Sequence, residues 1–460
     1  MLTFMDLLRY TRLIIGYLTD GGQVITMKQI LDLHIHSRYS RACSKELELP
    51  KIAKVCLEKG IDIVATGDFT HPAWFASIKN ELKEENEGIY LLKSQASMSN
   101  DQSNPKSQIQ KTRFILSTEI SCIYTHKGKV RRLHLLVMVP SVEVATKFIR
   151  ALEGRGVNLK ADGRPIMGLS AKEILQILLE IDTRCMLIPA HAWTPWFAVF
   201  GSKSGYDSLE ECFDELAPHI KAVETGLSSD PPMNHRLSNL DDIVLVSNSD
   251  AHSLDNLGRE ANVFEVKDYA DITYDRITRI IREGDEKKFL YTIEFYPEEG
   301  KYHFDGHKDC RVVLSPKETK KLKELCPVCG KKLTVGVLHR VEDLADRSRK
   351  EVEQKKFIPH RYIVPLREII AQVFEVGVKS KKVEAVCRQM INNIGNEFYI
   401  LLEAEDEEIK KNIPNDNIFI AIQNMRKENV KVSPGYDGVF GVIDVLNEKG
   451  SARPKQRNLL

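Results

Sequence analysis

The sequence predicts an α/β fold: a parallel sheet or barrel with helices outside, joined to a small zinc-binding module and a helical C-terminal domain. Three observations predict it. From residue 29 to about 265, short apolar runs alternate with amphipathic stretches. A strand- and turn-rich segment then carries a close cysteine pair, and beyond residue 362 apolar residues recur at helical spacing.

Seven runs read as buried strands: 30–33, 61–65, 113–117, 133–139, 186–189, 222–225 and 243–247. Between them, 51–59, 171–181 and 208–216 carry the apolar stripe of outer helices. The rhythm breaks at 94–111, mostly Ser, Gln, Asn and Lys, which reads as a mobile surface insertion. Helices are expected at 366–374, 382–391 and 406–411, then a Gly/Pro turn at 434–438 and a last strand near 439–445. The expected division is an N-terminal extension (1–28, with Met27 as the natural start), a barrel (29–290), a cysteine-bearing module (291–345), a mostly helical region (346–447) and a flexible tail (448–460).

Composition narrows the class. At 460 residues the chain is too long for one small core, and 42% hydrophobic with 28% charged residues excludes a disordered or collagen-like chain. The 66 basic and 65 acidic residues nearly cancel, which leaves DNA binding open because a carboxylate-rich metal site offsets basic surface elsewhere. The basic runs at 317–323 and 379–382 are more often solvated faces than phosphate contacts. Of nine cysteines only Cys326 and Cys329 lie close together, so a disulfide framework is not expected and a reducing, cytoplasmic location is. The apolar run at 13–18 is far shorter than the ~20 residues of a membrane span and lacks the order of a signal peptide.

Histidines and carboxylates stand in or just after the expected strands. His34 and His36, two apart in Asp32-Leu33-His34-Ile35-His36, point to one side as two ligands of one ion must. Asp68 and His71 follow the second strand, Glu119 the third; His134 sits in the fourth, His191 closes the fifth, and Asp250 and His252 follow the last. A single strand-end histidine is usually just a satisfied polar residue. Nine such side chains at successive strands instead describe a metal site at the C-terminal edge of a barrel. Mixed imidazole and carboxylate suits zinc, manganese or iron, with magnesium an alternative activating ion. Nine ligands suffice for two or three ions, with Glu119 the natural bridge. Two ions ~3.5–4 Å apart clamp the oxygens of a phosphoester and activate water, so no side-chain nucleophile is needed. Cys43, Cys122 and Cys185 read as small buried residues instead.

The order Asp-Leu-His-x-His, Gly-Asp-x-x-His, Glu, His, Pro-x-His and Ser-Asp-x-His resembles the polymerase and histidinol phosphatase (PHP) superfamily. That resemblance implies a distorted barrel with a trinuclear metal site. His34, His36, Glu119 and Asp250 would hold the first ion; Glu119, His134 and His191 the second; Asp68, His71 and His252 would surround the third. The family often supplies another ligand shortly after the HxH pair, whereas residues 37–43 here contain no histidine or carboxylate.

Beyond the barrel, Cys326-Pro327-Val328-Cys329-Gly330 is a zinc knuckle, with Cys310 a third ligand. His307 or His339 is the fourth, His307 being favoured by its spacing from Cys310. All three tryptophans, Trp74, Trp193 and Trp196, lie beside metal ligands. Such aromatics are usually core, yet on active-site loops they could wall a pocket for an extruded base. Ser202, Lys203 and Ser204 suit a DNA phosphate without a Walker spacing. Together with Gly-Asp-Phe-Thr-His-Pro, His-Ala-Trp-Thr-Pro-Trp-Phe and Pro-Gly-Tyr-Asp-Gly, these motifs resemble the endonuclease Q family over about residues 29–445. The resemblance implies cleavage of damaged DNA, single- or double-stranded, 5′ to a deaminated base (hypoxanthine, uracil, xanthine) or an abasic site. A deaminated base pairs poorly and so costs less to flip. A small-molecule phosphatase and a non-catalytic DNA-binding protein are the alternatives. The last five residues, Gln456 to Leu460, resemble a sliding-clamp-binding peptide, against the commoner reading of a frayed terminus.

Overall fold

The computed structural model describes residues 26–98 and 111–447. Most of the expected insertion, the N-terminal extension up to residue 25 and the tail with its clamp-like peptide lie outside the described residues. The first part of the 94–111 segment is helical, within Lys93–Met98.

The N-terminal half is a mixed α/β structure. Its strands are β1 (Met27–Asp32), β2 (Ile63–Ala65), β3 (Leu82–Asn86), β4 (Ile89–Leu92), β5 (Arg113–Ile115), β6 (Ser117–His126) and β7 (Lys129–Met138). Then come β8 (Ile166–Met167), β9 (Met186–Pro189), β10 (Ala222–Glu224), β11 (Val244–Val246), β12 (Ala261–Val266) and β13 (Phe289–Glu294). The later strands are β14 (Asp305–His307), β15 (Val312–Leu314), β16 (His360–Tyr362), β17 (Lys431–Ser433) and β18 (Val442–Asp444). One sheet runs β16-β13-β12-β1-β2-β5-β4-β3, a second β8-β6-β7-β9, and β10 pairs with β11 alone.

The ladder therefore does not close into one parallel barrel. β1–β2, β2–β5 and β10–β11 are parallel, whereas β6–β7 and β7–β9 are antiparallel. The cause is local: Lys127 and Gly128, both at positive φ (49° and 74°), form a two-residue turn. That turn folds β6 onto β7 with His126 opposite Lys129. Even so, Leu31, Ile63, Ile115, Leu136, Ile188, Ala222 and Val246, one from each of seven strands, share one buried cluster. Burying each of the larger ones is worth about 1.5–3 kcal/mol.

Helices cover this sheet system from outside. Ala171–Ile181 matches the expected helix at both ends; Ser170 caps it, with the Glu173 carboxylate accepting from the Ser170 amide at 2.7 Å. It buries Ile174, Leu175 and Leu178. Helices Leu366–Val373, Lys381–Asn393, Glu397–Leu402, Asp406–Asn412 and Asp416–Arg426 make up the C-terminal helical region. β16 extends the large sheet beside β13, to which it runs parallel. No described helix is long and apolar enough to cross a membrane.

Candidate metal centre

The chain leaving β1 is pinned before it reaches the site: the Leu33 amide donates to Asn248 Oδ1 (2.8 Å) and the His36 amide to the Ala251 carbonyl (3.1 Å). Leu33 and Ile35 each sink into an apolar cluster, while the ligand atoms of the alternating residues His34 and His36 come together. Asp68, His191 and Asp250 adopt positive φ (45°, 31° and 45°). Non-glycine residues held there store strain, and such strain gathers at functional sites.

Ligand atoms of His34, His36, Glu119 and Asp250 all lie within 4.8 Å of one another, and those of Glu119, His134 and His191 form a second such group. Glu119 belongs to both. Its Oε2 is 3.2 Å from His36 Nε2, while its Oε1 is 2.8 Å from His134 Nδ1 and 3.1 Å from His191 Nε2. Glu119 lies within β6, a strand absent from the sequence reading, instead of following one. In the β6–β7 register Ser121 faces His134, so Glu119 is the diagonal neighbour of His134 on the same face.

The donor set fits divalent cations. His34 Nε2 is buried without a hydrogen-bond partner, 3.7 Å from both Glu119 Oε2 and Asp250 Oδ1. A buried ring nitrogen aimed at two carboxylates requires a cation or a proton. Burial alone would lower the pKa of His34 and His36, but the surrounding carboxylates outweigh it and raise both well above the ordinary value. Burial pushes His134 down to about 4 against the pull of Glu119. Burial would raise Glu119 too, yet His134, Arg164 and His34 hold it well below the usual carboxylate range.

Asp68, His71 and His252 do not converge into a third group of this kind. Asp68 is committed: Oδ1 meets His36 Nδ1 at 3.0 Å, and Oδ2 accepts from the Ser37 amide (2.6 Å), the Ser37 hydroxyl (2.7 Å) and the Ser40 hydroxyl (2.8 Å). The 37–43 stretch thus supplies hydroxyls that hold a carboxylate. His71 stacks on Tyr39 at 4.4 Å, and the His252 ring lies 4.6 Å from that of His36.

Sequence reasoning missed two residues here. Glu224, at the end of β10, contacts His34 Nδ1 at 3.0 Å and accepts from the His191 amide at 2.9 Å. The strand-end rule that picked out the candidate ligands would have found it. Arg164, on the loop before β8, donates to Glu119 Oε2 at 2.9 Å, and no strand pattern marks it.

Away from this centre, His307, Cys310, Cys326 and Cys329 bring four ligand atoms together. His339 is not among them: its Nδ1 meets Asp305 Oδ2 at 2.6 Å. Trp74 and Trp193 are core residues, not pocket walls, with indole N–H groups given to the Gly67 carbonyl (2.9 Å) and Asn234 Oδ1 (2.7 Å). Trp196 is 47% exposed. Ser202 and Lys203 are exposed, whereas Ser204 is buried and donates to the Arg132 carbonyl. Cys122 and Cys185 are buried and Cys43 partly so; burial pushes the Cys43 and Cys185 thiols up to about 12, which makes them poor nucleophiles.

Residues 365–429 match the family described as the MJ0043 C-terminal domain. The chain is 32% identical over 262 residues to the uncharacterized protein MJ0043 of Methanocaldococcus jannaschii, covering 56% of this chain and 32% of that one. It thus spans about a third of the length of that curated relative. The lesion-specific endonuclease PfuEndoQ of Pyrococcus furiosus superposes with a TM-score of 0.78 at 30% identity, over 92% of this chain and 98% of that one. An endonuclease Q bound to a 27-mer duplex with an abasic lesion at the active site gives 0.76 and 31%, over 92% and 99%. The chain belongs to the endonuclease Q family.

Proposed function

We propose that this chain is a metal-dependent DNA endonuclease that hydrolyses the phosphodiester 5′ to a deaminated base or an abasic site. The observation that carries it is the pair of buried ligand groups sharing Glu119, in a chain that follows endonuclease Q structures over 92% of its length.

His34, His36, Glu119 and Asp250 hold one ion, and Glu119, His134 and His191 a second, zinc, manganese and iron being the best match to the donors. Bound there, such ions supply Lewis acidity toward phosphodiester oxygens and lower the pKa of water. The protein's own residues do the rest. Glu224 and Asp68 orient the histidine rings. Exposed Trp196 offers a stacking face to an extruded base, and Lys203 on the same loop a phosphate contact. A structural zinc on His307, Cys310, Cys326 and Cys329, together with the C-terminal helices, grips the duplex.

Incubation of the protein with manganese or magnesium and labelled duplexes carrying one inosine, uracil or abasic site tests this. A nick 5′ to the lesion, absent from the undamaged duplex, is the expected result. Intact DNA beside phosphate release from a small monoester would point to a metabolite phosphatase; binding without any cleavage would point to a scaffold.

A further inference from the structure

We propose that Arg164 is an active-site residue whose guanidinium binds the non-bridging oxygens of the scissile phosphodiester beside the metal centre. This rests on the endonuclease reading above and deepens it.

The placement is specific. Nη1 donates to Glu119 Oε2 at 2.9 Å, the same oxygen that lies 3.2 Å from His36 Nε2. Arg164 is therefore in contact with the carboxylate common to both ligand groups. Glu119 is fully buried, but the Arg164 side chain is 23% exposed, so it links the ligand cluster to solvent. This is its one side-chain hydrogen bond among the described residues. A guanidinium has five N–H donors in a fixed fork. Those left over suit two oxygens of a phosphate better than any other anion-binding geometry in the side-chain set. Arg259, a second arginine whose charge is felt by Asp250, is half-buried and gives Nη2 to the Ser249 carbonyl.

The loop is built to hold it. A Cβ on Gly163 would lie 2.4 Å from both Asp68 Oδ2 and Ser40 Oγ, so only glycine lets the backbone come this close. The Gly163 amide donates to the Tyr39 carbonyl at 3.0 Å. Asp162 Oδ1 accepts from the amides of Arg41 and Arg164, each at 3.1 Å. The residues on the N-terminal side of Arg164 are thus fastened to the loop that follows His36. A guanidinium fixed before substrate arrives costs no reorganisation during reaction. Burial would ease its proton off, but Glu119 and Asp250 outweigh that and keep it charged, so it acts as a cation and not as an acid.

During hydrolysis the water oxygen forms a bond to phosphorus as the P–O3′ bond breaks. The bonding pair leaves on O3′, which ends as a hydroxyl with one of the water's protons, while the new oxygen stays on the 5′-phosphate. Arg164 moves no proton. It donates hydrogen bonds to the non-bridging oxygens, where negative charge concentrates, as arginines do in other phosphoryl transfers.

The test compares wild type, R164Q and R164K in single-turnover cleavage of an abasic duplex, with three further measurements. These are metal content, affinity for the duplex in chelator, and the rate ratio for the two phosphorothioate diastereomers at the scissile phosphate. We expect R164Q to cut about a thousandfold slower, in the range seen when a phosphate-clamping arginine is removed. R164K should recover only part of this, because a point charge replaces a fork. Metal content should be unchanged, and the diastereomer ratio should move toward one. R164Q cutting within threefold of wild type overturns the proposal. So does loss of activity together with bound metal, which would make Arg164 a counter-ion of Glu119 and nothing more. A wild type that cuts no lesion duplex overturns the endonuclease reading, and this inference with it; a cutting wild type with an unaffected variant overturns the inference alone.

Discussion

Both oxygens of the Glu224 carboxylate lie 3.0 Å from Nδ1 of His34, beneath the metal-ligand cluster. One of them also accepts from the His191 amide at 2.9 Å, and the other from Asn248 Nδ2 at 2.8 Å. His34 and His191 belong to different ligand groups, so one buried carboxylate sets the geometry of both. Its bond to Nδ1 also leaves Nε2 of His34 as the atom offered to a metal.

Replacing Glu224 with glutamine keeps the shape but turns one acceptor into a donor. Either the His191 amide or Asn248 Nδ2 then meets an N–H and goes unpaired, which disturbs the seating of the carboxamide against Nδ1 of His34. E224Q should weaken metal binding 10- to 100-fold, the usual effect of losing such an outer partner. Titration of the metal-stripped protein followed by calorimetry checks this. Unchanged affinity would show that Glu224 supports the fold and not the ligands.

Asp250→Asn and His191→Ala each remove a ligand, one from each group. Both should lower cleavage by a hundredfold or more while leaving DNA affinity within about threefold, because phosphate contacts elsewhere dominate binding. Fluorescence anisotropy beside single-turnover cleavage separates the two effects. Either variant cutting at the wild-type rate would remove that residue from the ligand set.

Much of this site was legible in the sequence because the ligands sit at the ends of short apolar strands. His34, His36, His191 and Asp250 need only that pattern to be singled out. Glu119 was found but misplaced, since Ser117–His126 mixes Ser, Glu and Thr with its apolar residues and shows no continuous run. The hairpin reverses direction at Lys127-Gly128, and a parallel reading overlooks it. Arg164 was illegible: its position depends on Gly163 touching Asp68 and Ser40, more than ninety residues away in the chain. The tryptophans misled for the opposite reason. Proximity to ligands in sequence says nothing of which way an indole turns, and Trp74 and Trp193 turn inward.

The segment that carries His307, Cys310, Cys326 and Cys329 has little core of its own, with Cys326 and Leu333 buried while Leu325 and Val328 are exposed. Its order therefore depends on the four ligands. Cys326→Ser should lose one zinc per chain and open the 305–334 segment to protease, while the ligand groups around Glu119 keep their metal. Elemental analysis and limited proteolysis read this out. A variant with full zinc and wild-type protection would show that the segment folds without the ion.

Glu294, at the end of β13, gives a pH-dependent stability. Burial raises its pKa from 4.5 to about 8; the Ser247 hydroxyl, donating to Oε1, offsets part of this, and Asp230 adds to it. The folded protein therefore keeps a proton on Glu294 at pH values where the unfolded chain has released it. The stability this gives is complete below pH 4.5 and is lost as pH rises through about 8. One proton corresponds to a slope of up to about 1.4 kcal/mol per pH unit. Glutamine mimics the neutral carboxyl and still accepts from Ser247. E294Q should therefore lose less stability than wild type between pH 5 and pH 8, with the gap between them opening toward pH 8. Denaturant unfolding at pH 5, 6.5 and 8 measures the slope directly. Parallel pH profiles for the two proteins would mean that Glu294 is ionised in the fold, with a cation or a rearranged neighbour compensating its charge.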